Sequence, residues 1–261
     1  MINMTSRSYH QKRLIPILLI RNNGLMKSRN FDDWTYVGDV INTCKIFNDK
    51  DVDEIVVLDT QASERGSGPN LNLAEQIAAE CFLPISFGGG VKSEQDARAL
   101  VERGVDKVVI NSSFLTDPNL IKRISSEIGS SSTVVSIDVN WTESEPQVRN
   151  QCNEQPFSSS LERIIDEAEI QGAGEIVVQG VREDGSKNGP NLELAQKVLS
   201  MTDLPIVYAG GVSSLNQAAK LWQLGVDGVA AGSWFVFSGP LNAVLVTYPS
   251  RKRISQAVEQ I

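Results

Sequence analysis

The chain has 261 residues, 41% of them hydrophobic, and a formal net charge of −8. This length suits two average domains or one α/β barrel, and the composition allows a sizeable core. The acidic balance disfavours nucleic acid as a partner, and no apolar run reaches the roughly 18 residues that span a membrane.

The start of the chain and its cysteines indicate the compartment. Residues 1–12 lack the apolar core of a secretion signal and are expected to form an N-terminal tail. Cys44, Cys81 and Cys152 are odd in number and widely spaced, and His10 is the only histidine, which argues against disulfides or a zinc site. We expect a cytoplasmic protein with reduced thiols, no metal and no cofactor.

Short apolar runs alternate with amphipathic stretches along the chain. The first, RLIPILLIRNNG at 13–24, is typical of a buried strand that ends in a turn, and its last inward position, Leu19, carries no polar group. Residues 93–102 have a helical pattern typical of the stretches between strands. The predicted strands are 14–20, 54–59, 85–88, 107–111, 133–139, 175–179, 206–209 and 228–231.

The chain also repeats itself at a constant shift of 121 residues. DEIVVLD from Asp53 corresponds to GEIVVQG from Gly174, and LPISFGGGV from Leu83 to LPIVYAGGV from Leu204. The repeat and strand count predict a single (βα)₈ TIM barrel, made of half-barrels at about 13–130 and 131–250, with its site at the C-terminal strand ends. An open doubly wound sheet is the alternative, but it would not explain a gapless repeat.

Two glycine-rich turns, FGGGV and AGGVS, each follow a strand and precede a helix. Their glycines let backbone N–H groups approach an anion, and the helix N-terminus adds partial positive charge. Each could be only a tight connection, but the symmetric pair suits a ligand with an anionic group at both ends. The candidate phosphate-binding residues are Gly89, Gly90, Asn111, Ser112, Gly210, Gly211, Gly232 and Ser233.

These motifs together resemble HisF, the cyclase subunit of imidazole glycerol phosphate synthase, along nearly the whole chain. RLIP, LDTQAS, FGGGV, KVVIN, SIDV and EIVV…DGSKNG occur in the family's order and spacing. The resemblance implies a subunit that takes ammonia from a HisH-like glutaminase at the N-terminal face of the barrel. It also implies a phosphorylated substrate, and it adds Gly185 to the phosphate-binding residues.

The resemblance further implies an ammonia gate of charged residues at the barrel floor. Its positions match Arg13, Glu54, Lys107 and Glu175, each at the beginning of a predicted strand. The alternative is an ordinary salt-bridge layer that closes the floor. Asp106 matches a family position that contacts the glutaminase.

The family's chemistry is attributed to two aspartates that act as general acid and base. One matches Asp138, which could instead bind backbone N–H groups in a turn, and the other falls on Leu19, which cannot transfer protons. Lys27, Asp59 and Asp184 match a loop lysine and pocket carboxylates that the resemblance makes catalytic candidates. Each could equally be a solvated loop charge.

Gln179, Arg182 and Ala209 also differ from the family, which has threonine, aspartate and serine there. With Leu19, and with GDVINTCKIFNDKDVDE from Gly38, they resemble the WbuZ-type branch of the family. That branch implies ammonia-dependent amidination of a nucleotide-activated sugar for O-antigen, with a third, amidotransferase-like protein taking part. The alternatives are an authentic cyclase of histidine biosynthesis, a non-catalytic ammonia conduit, and a phosphate-sugar isomerase barrel.

Overall fold

The predicted strands pair in parallel in the computed structural model, which describes residues 11–29, 31–142, 145–150, 157–239 and 241–259. His10 and Cys152 lie outside these ranges. The strands are β1 (Arg13–Arg21), β2 (Gly24–Lys27), β3 (Thr35–Gly38), β4 (Ile55–Asp59), β5 (Ile85–Gly88), β6 (Lys107–Ile110), β7 (Thr133–Trp141), β8 (Pro146–Arg149), β9 (Glu175–Gly180), β10 (Ile206–Ala209), β11 (Gly228–Ala231), β12 (Phe237–Ser238) and β13 (Ala243–Val244).

Amphipathic helices connect the parallel strands and cover the outside of the sheet. Their buried apolar side chains pack against the outward-facing residues of the strands in one continuous core. The helices are α1 (Val40–Asp49), α2 (Leu71–Glu80), α3 (Glu94–Val101), α4 (Ser112–Thr116), α5 (Asn119–Ile128), α6 (Leu161–Ile170), α7 (Leu192–Leu199), α8 (Leu215–Leu224), α9 (Ser233–Val236) and α10 (Arg251–Glu259).

Eight parallel strands of the described chain close into a barrel in the order β1, β4, β5, β6, β7, β9, β10 and β11. The closure is direct, because β1 pairs with β11 from Arg13 opposite Gly228 to Pro16 opposite Ala231. This confirms the predicted (βα)₈ barrel and excludes the open sheet, whose edge strands would not pair.

β1 and β7 extend beyond their predicted ends, because each continues into an antiparallel hairpin above the barrel. β1 turns back into β2 through Asn22 and Asn23, which both have the positive φ angles of a tight two-residue turn. β7 likewise pairs with β8. The helix predicted at 93–102 is shorter, since Ser93 is its N-cap and accepts a hydrogen bond from the Asp96 N–H.

The inward-facing side chains of the strands are mostly apolar. The inner cluster comprises Ile15, Ile17, Leu19, Val56, Val109, Val134, Val177, Val207, Ala209 and Ala230. Since side chains alternate along a strand, β1 presents Arg13, Ile15, Ile17 and Leu19 to the barrel axis from floor to mouth. The barrel interior is therefore mainly apolar between its two ends.

Hydrogen bonds repeat at the same 121-residue shift as the sequence. Asn70 and Asn191 cap α2 and α7 in the same way. The Asp106 carboxylate accepts the Ile85 N–H at 2.8 Å, and its counterpart Asp227 accepts the Ile206 N–H at 3.0 Å. The two halves therefore share local structure as well as sequence.

No helix within the described ranges is long and apolar enough to cross a membrane. The same residues contain no cluster of three or more histidine, cysteine or carboxylate side chains that could hold a metal ion. Cys44 and Cys81 are buried free thiols.

Candidate active site

The C-terminal ends of the barrel strands surround one open pocket. All the residues predicted to bind phosphate or to act in catalysis line it, together with Leu19. They come from the ends of different strands, as expected for a (βα)₈ barrel. These residues are Lys27, Asp59, Gly89, Gly90, Asn111, Ser112, Asp138, Asp184, Gly185, Gly210, Gly211, Gly232 and Ser233.

The two glycine-rich turns adopt matching conformations. Gly89 and Gly90 have φ angles of +111° and +76°, and Gly210 and Gly211 have +116° and +75°. A Cβ atom on Gly211 would lie 2.1 Å from the carbonyl oxygen of Gly189, so no side chain fits there. The backbone of each turn is thereby presented to the pocket beside a serine, Ser112 or Ser233.

Lys27 is buried next to Gly232, which follows β11 at the mouth of the barrel. Its ammonium donates a hydrogen bond to the carbonyl oxygen of Ile17, and a Cβ atom on Gly232 would lie 2.6 Å from its Nζ. Burial lowers the pKa of Lys27 to about 8, although the nearby Asp184 carboxylate favours the charged form. An anion held beside Gly232 would favour the charged form of Lys27 and oppose this shift.

Asp184 holds the loop that carries Lys27 over the pocket. Its Oδ2 accepts the Ser28 hydroxyl at 2.8 Å and the Phe31 N–H at 3.5 Å. Burial raises the pKa of Asp184, although these hydrogen bonds and the Lys27 charge oppose the shift. Asp184 is thus an anchor for this loop in addition to being a candidate acid.

Asp59 has partners at both carboxylate oxygens. Oδ2 pairs with Arg65 at 2.7 Å, and Oδ1 accepts the Gln61 N–H at 3.0 Å. A carboxylate held this way is anchored within its own turn. This arrangement favours a structural role for Asp59 over proton transfer.

Asp138 lies across the barrel from Leu19. Asn111 donates from Nδ2 to Oδ2 of Asp138 at 2.9 Å, while Asn111 Oδ1 is buried and has no hydrogen-bond partner in the described part of the chain. A ligand N–H or O–H group could satisfy that oxygen. Leu19, by contrast, belongs to the apolar inner cluster and is 9% exposed.

The four predicted gate residues converge at the opposite end of the barrel. Arg13 contacts Glu54 at 2.6 Å and also contacts Glu175, and Lys107 contacts Glu54 at 3.2 Å and Glu175 at 2.7 Å. Each cation therefore bridges both anions in a closed, neutral ring. Ser86 adds a hydrogen bond to Glu54 at 2.6 Å.

The ring holds its charges at the floor despite burial. Burial alone would raise the pKa of Glu175, but the charges of Arg13 and Lys107 outweigh it and lower this pKa. Burial likewise opposes the charge of Arg13, yet Glu175 and Glu54 raise its pKa. The ring therefore favours the charged forms of Glu175 and Arg13.

Asp106 precedes Lys107 at the barrel floor, and Asp106 is exposed to solvent there. Its hydrogen bond to the Ile85 N–H matches that of Asp227, which is buried. Asp106 therefore fixes the beginning of β5, whether or not it also contacts a partner.

The pocket also contains residues that the sequence did not single out. Trp34 and Leu58 pack against the inner cluster, and the Arg21 guanidinium lies 4.8 Å from the centre of the Trp34 ring. Phe31 and Ser136 line the pocket as well. The strand pattern could have indicated Leu58, which alternates with inward-facing Val56, but no motif marks Trp34.

The closed barrel of eight parallel strands with helices between them places the chain in the class of (βα)₈ proteins. A family model described as "Histidine biosynthesis protein" matches residues 13–241, so the chain belongs to this histidine biosynthesis family.

Similar proteins carry names from the same family. The chain is 39% identical to the "Putative imidazole glycerol phosphate synthase subunit HisF" of Leptospira borgpetersenii, over 91% of this chain and 95% of that protein. It is 38% identical to the "Putative imidazole glycerol phosphate synthase subunit hisF2" of Pseudomonas aeruginosa, over 94% of this chain and 98% of that protein. It is 36% identical to "Imidazole glycerol phosphate synthase subunit HisF" of Dictyoglomus thermophilum, over 87% and 90%.

Proposed function

We propose that this HisF-like barrel receives ammonia from a glutaminase docked at its floor and supports the amidination of a nucleotide-activated sugar in O-antigen biosynthesis. A third, amidotransferase-like protein takes part. The sugar and the third protein are what the resemblance to the WbuZ-type branch implies. The observation that carries the proposal is the combination of a complete charged ring with a leucine where the cyclase has an aspartate.

The ring supports ammonia entry, because its four charges surround the axis at the N-terminal strand ends. Ammonia is small and neutral, so it could pass a balanced ring that repels or traps ions. Above the ring the barrel interior is apolar as far as the pocket. An apolar passage keeps the amine unprotonated, because ammonium is costly to desolvate.

Leu19 argues against cyclisation as the present reaction. Asp138 remains as one proton-transfer group, but its partner across the barrel is hydrocarbon. Loss of one positioned acid or base commonly costs on the order of 10²–10⁴ in rate. The pocket thus retains anion binding and loses half of the cyclase's acid–base pair.

An authentic cyclase of histidine biosynthesis is the second candidate, and the names of the relatives favour it. The experiment combines the chain with its glutaminase partner, glutamine and either the family's bis-phosphate substrate or candidate acetamido sugar nucleotides. We expect an amidine product by mass spectrometry when the sugar is offered. Cyclisation of the bis-phosphate at the rate of an authentic HisF measured in parallel would contradict the proposal.

Two variants, measured in the reconstituted pathway, distinguish a non-catalytic ammonia conduit from the proposed function. Asp138→Asn alters the pocket, whereas Lys107→Met breaks the ring. A conduit predicts that only Lys107→Met stops amidine formation, but the proposed participation of the pocket predicts that both do. External ammonium salts should restore activity to Lys107→Met and not to Asp138→Asn.

A further inference from the structure

The pocket has two chemically different walls. The ends of β1 and β4 present Ile17, Leu19 and Leu58. Across the barrel, the ends of β6, β7 and β9 present polar side chains. The polar residues are Asn111, Ser136, Asp138 and Gln179.

Trp34 completes the apolar wall. It precedes β3, packs against the inner cluster and is only partly buried, so part of its indole faces the pocket. The Arg21 guanidinium lies 4.8 Å from its ring centre and favours a fixed orientation of the indole. Trp34, Leu19 and Leu58 therefore offer a ligand a continuous apolar surface at this side of the pocket.

The polar wall is also prepared for a ligand. Asp138 accepts from Asn111 Nδ2, which fixes the Asn111 amide with its buried Oδ1 still without a hydrogen-bond partner among the described residues. Buried polar atoms are normally satisfied, and an ordered water or a bound molecule would supply the donor that Oδ1 lacks. Hydroxyl groups could both donate to this oxygen and accept from the Gln179 amide.

We infer that Trp34, Leu19 and Leu58 form an apolar subsite for the carbon-bearing face of a pyranose ring, whose hydroxyls bond the opposite wall while its phosphate lies in a glycine turn. A pyranose has C–H groups on one face and hydroxyls at its periphery, which matches the two walls. A flat nucleobase fits less well, because the residues beside Trp34 in this wall are aliphatic. This inference deepens the proposed function and rests on it only for the kind of substrate.

The test compares glucose 6-phosphate with glycerol 3-phosphate, which carries a phosphate but no ring. We expect the full chain to bind glucose 6-phosphate at least tenfold more tightly by calorimetry. Trp34→Ala should remove most of that difference and leave glycerol 3-phosphate binding unchanged. Tyr36→Ala is the control, since Tyr36 is an exposed aromatic residue two positions along and does not line the pocket.

A measurement on the unaltered protein covers the case in which Trp34→Ala fails to fold. Saturation of aromatic protons should transfer to the carbon-bound ring protons of glucose 6-phosphate in ligand-observed NMR, and Leu19→Asp should reduce that transfer. Equal affinity for the two phosphates, absence of binding by both, or equal weakening of both by Trp34→Ala would overturn the inference. None of these measurements involves ammonia or turnover, so failure here is distinguishable from failure of the proposed function.

Discussion

Leu19 and Asp138 lie on facing strands, and their side chains differ in chemistry: one is apolar and the other is a carboxylate. Asp138 sits in a polar corner with Asn111, whereas Leu19 packs against hydrocarbon. Proton transfer depends on a group within hydrogen-bond reach of the reacting atom. One side-chain change at this position can therefore alter the reaction while the fold stays the same.

Restoring a carboxylate at this position should restore part of the cyclase chemistry. We expect Leu19→Asp to raise turnover of the family's bis-phosphate substrate with ammonium salts by about 10²-fold or more. Leu19→Asn is the matched control, since its amide has a similar shape but cannot transfer a proton in the same way. Stopped assays with product detection by mass would measure both. Equal rates for the two variants would show that the acid–base argument is wrong.

At the scale of elements, the two glycine turns are copies of one strand–turn–helix motif. Each joins a strand to a helix, and their φ angles agree within a few degrees. Binding at one turn should therefore survive damage to the other. Their shared geometry follows from the repeat in the sequence.

Gly211→Ala should remove one of two phosphate sites. The new Cβ would lie 2.1 Å from the Gly189 carbonyl oxygen, so the turn must shift. We expect the number of inorganic phosphate ions bound per chain, measured by titration calorimetry, to fall from two to one. Gly225→Ala is the control, because Gly225 has a φ of +112° but its Cβ would meet nothing closer than 4.0 Å. Retention of both sites in Gly211→Ala would contradict the assignment.

At the scale of the whole molecule, the floor and the mouth of the barrel are separated by an apolar interior. The floor contributes to stability through its balanced charges. Removing one member leaves the ring with a net charge, and breaking a buried ion pair commonly costs about 3–5 kcal/mol.

Glu175→Gln should lower the melting temperature at pH 7 by roughly 5–15 °C, on the scale of a few degrees per kcal/mol. The folded pKa of Glu175 is lowered, so its contribution is complete above the unfolded value of about 4.3 and is lost as pH falls through the folded pKa. The difference between the wild type and the variant should therefore shrink below about pH 4. Calorimetry from pH 7 to pH 3, with exposed Glu193→Gln as control, measures it. A difference that persists in acid would show that the ring charges are not the cause.

The sequence predicted the barrel because its repeat and its strand pattern can be read directly from the residues, and the closure of β11 on β1 followed from the strand count. It also predicted that Arg13, Glu54, Lys107 and Glu175 lie at strand beginnings. It did not predict Trp34, Phe31 or the anchoring of Asp59 by Arg65, because these contacts depend on how loops fold over the barrel. Contacts within and between loops leave no periodic pattern in the sequence.

The closed ring also bears on how such a barrel can diverge. Each of its four members touches two opposite charges, so a mutation at any one creates an imbalance that a second mutation must correct. Positions at the mouth, such as Leu19 and Ala209, have no such reciprocal constraint and can change singly. New chemistry can then evolve at one end of the cylinder while the other end is inherited intact.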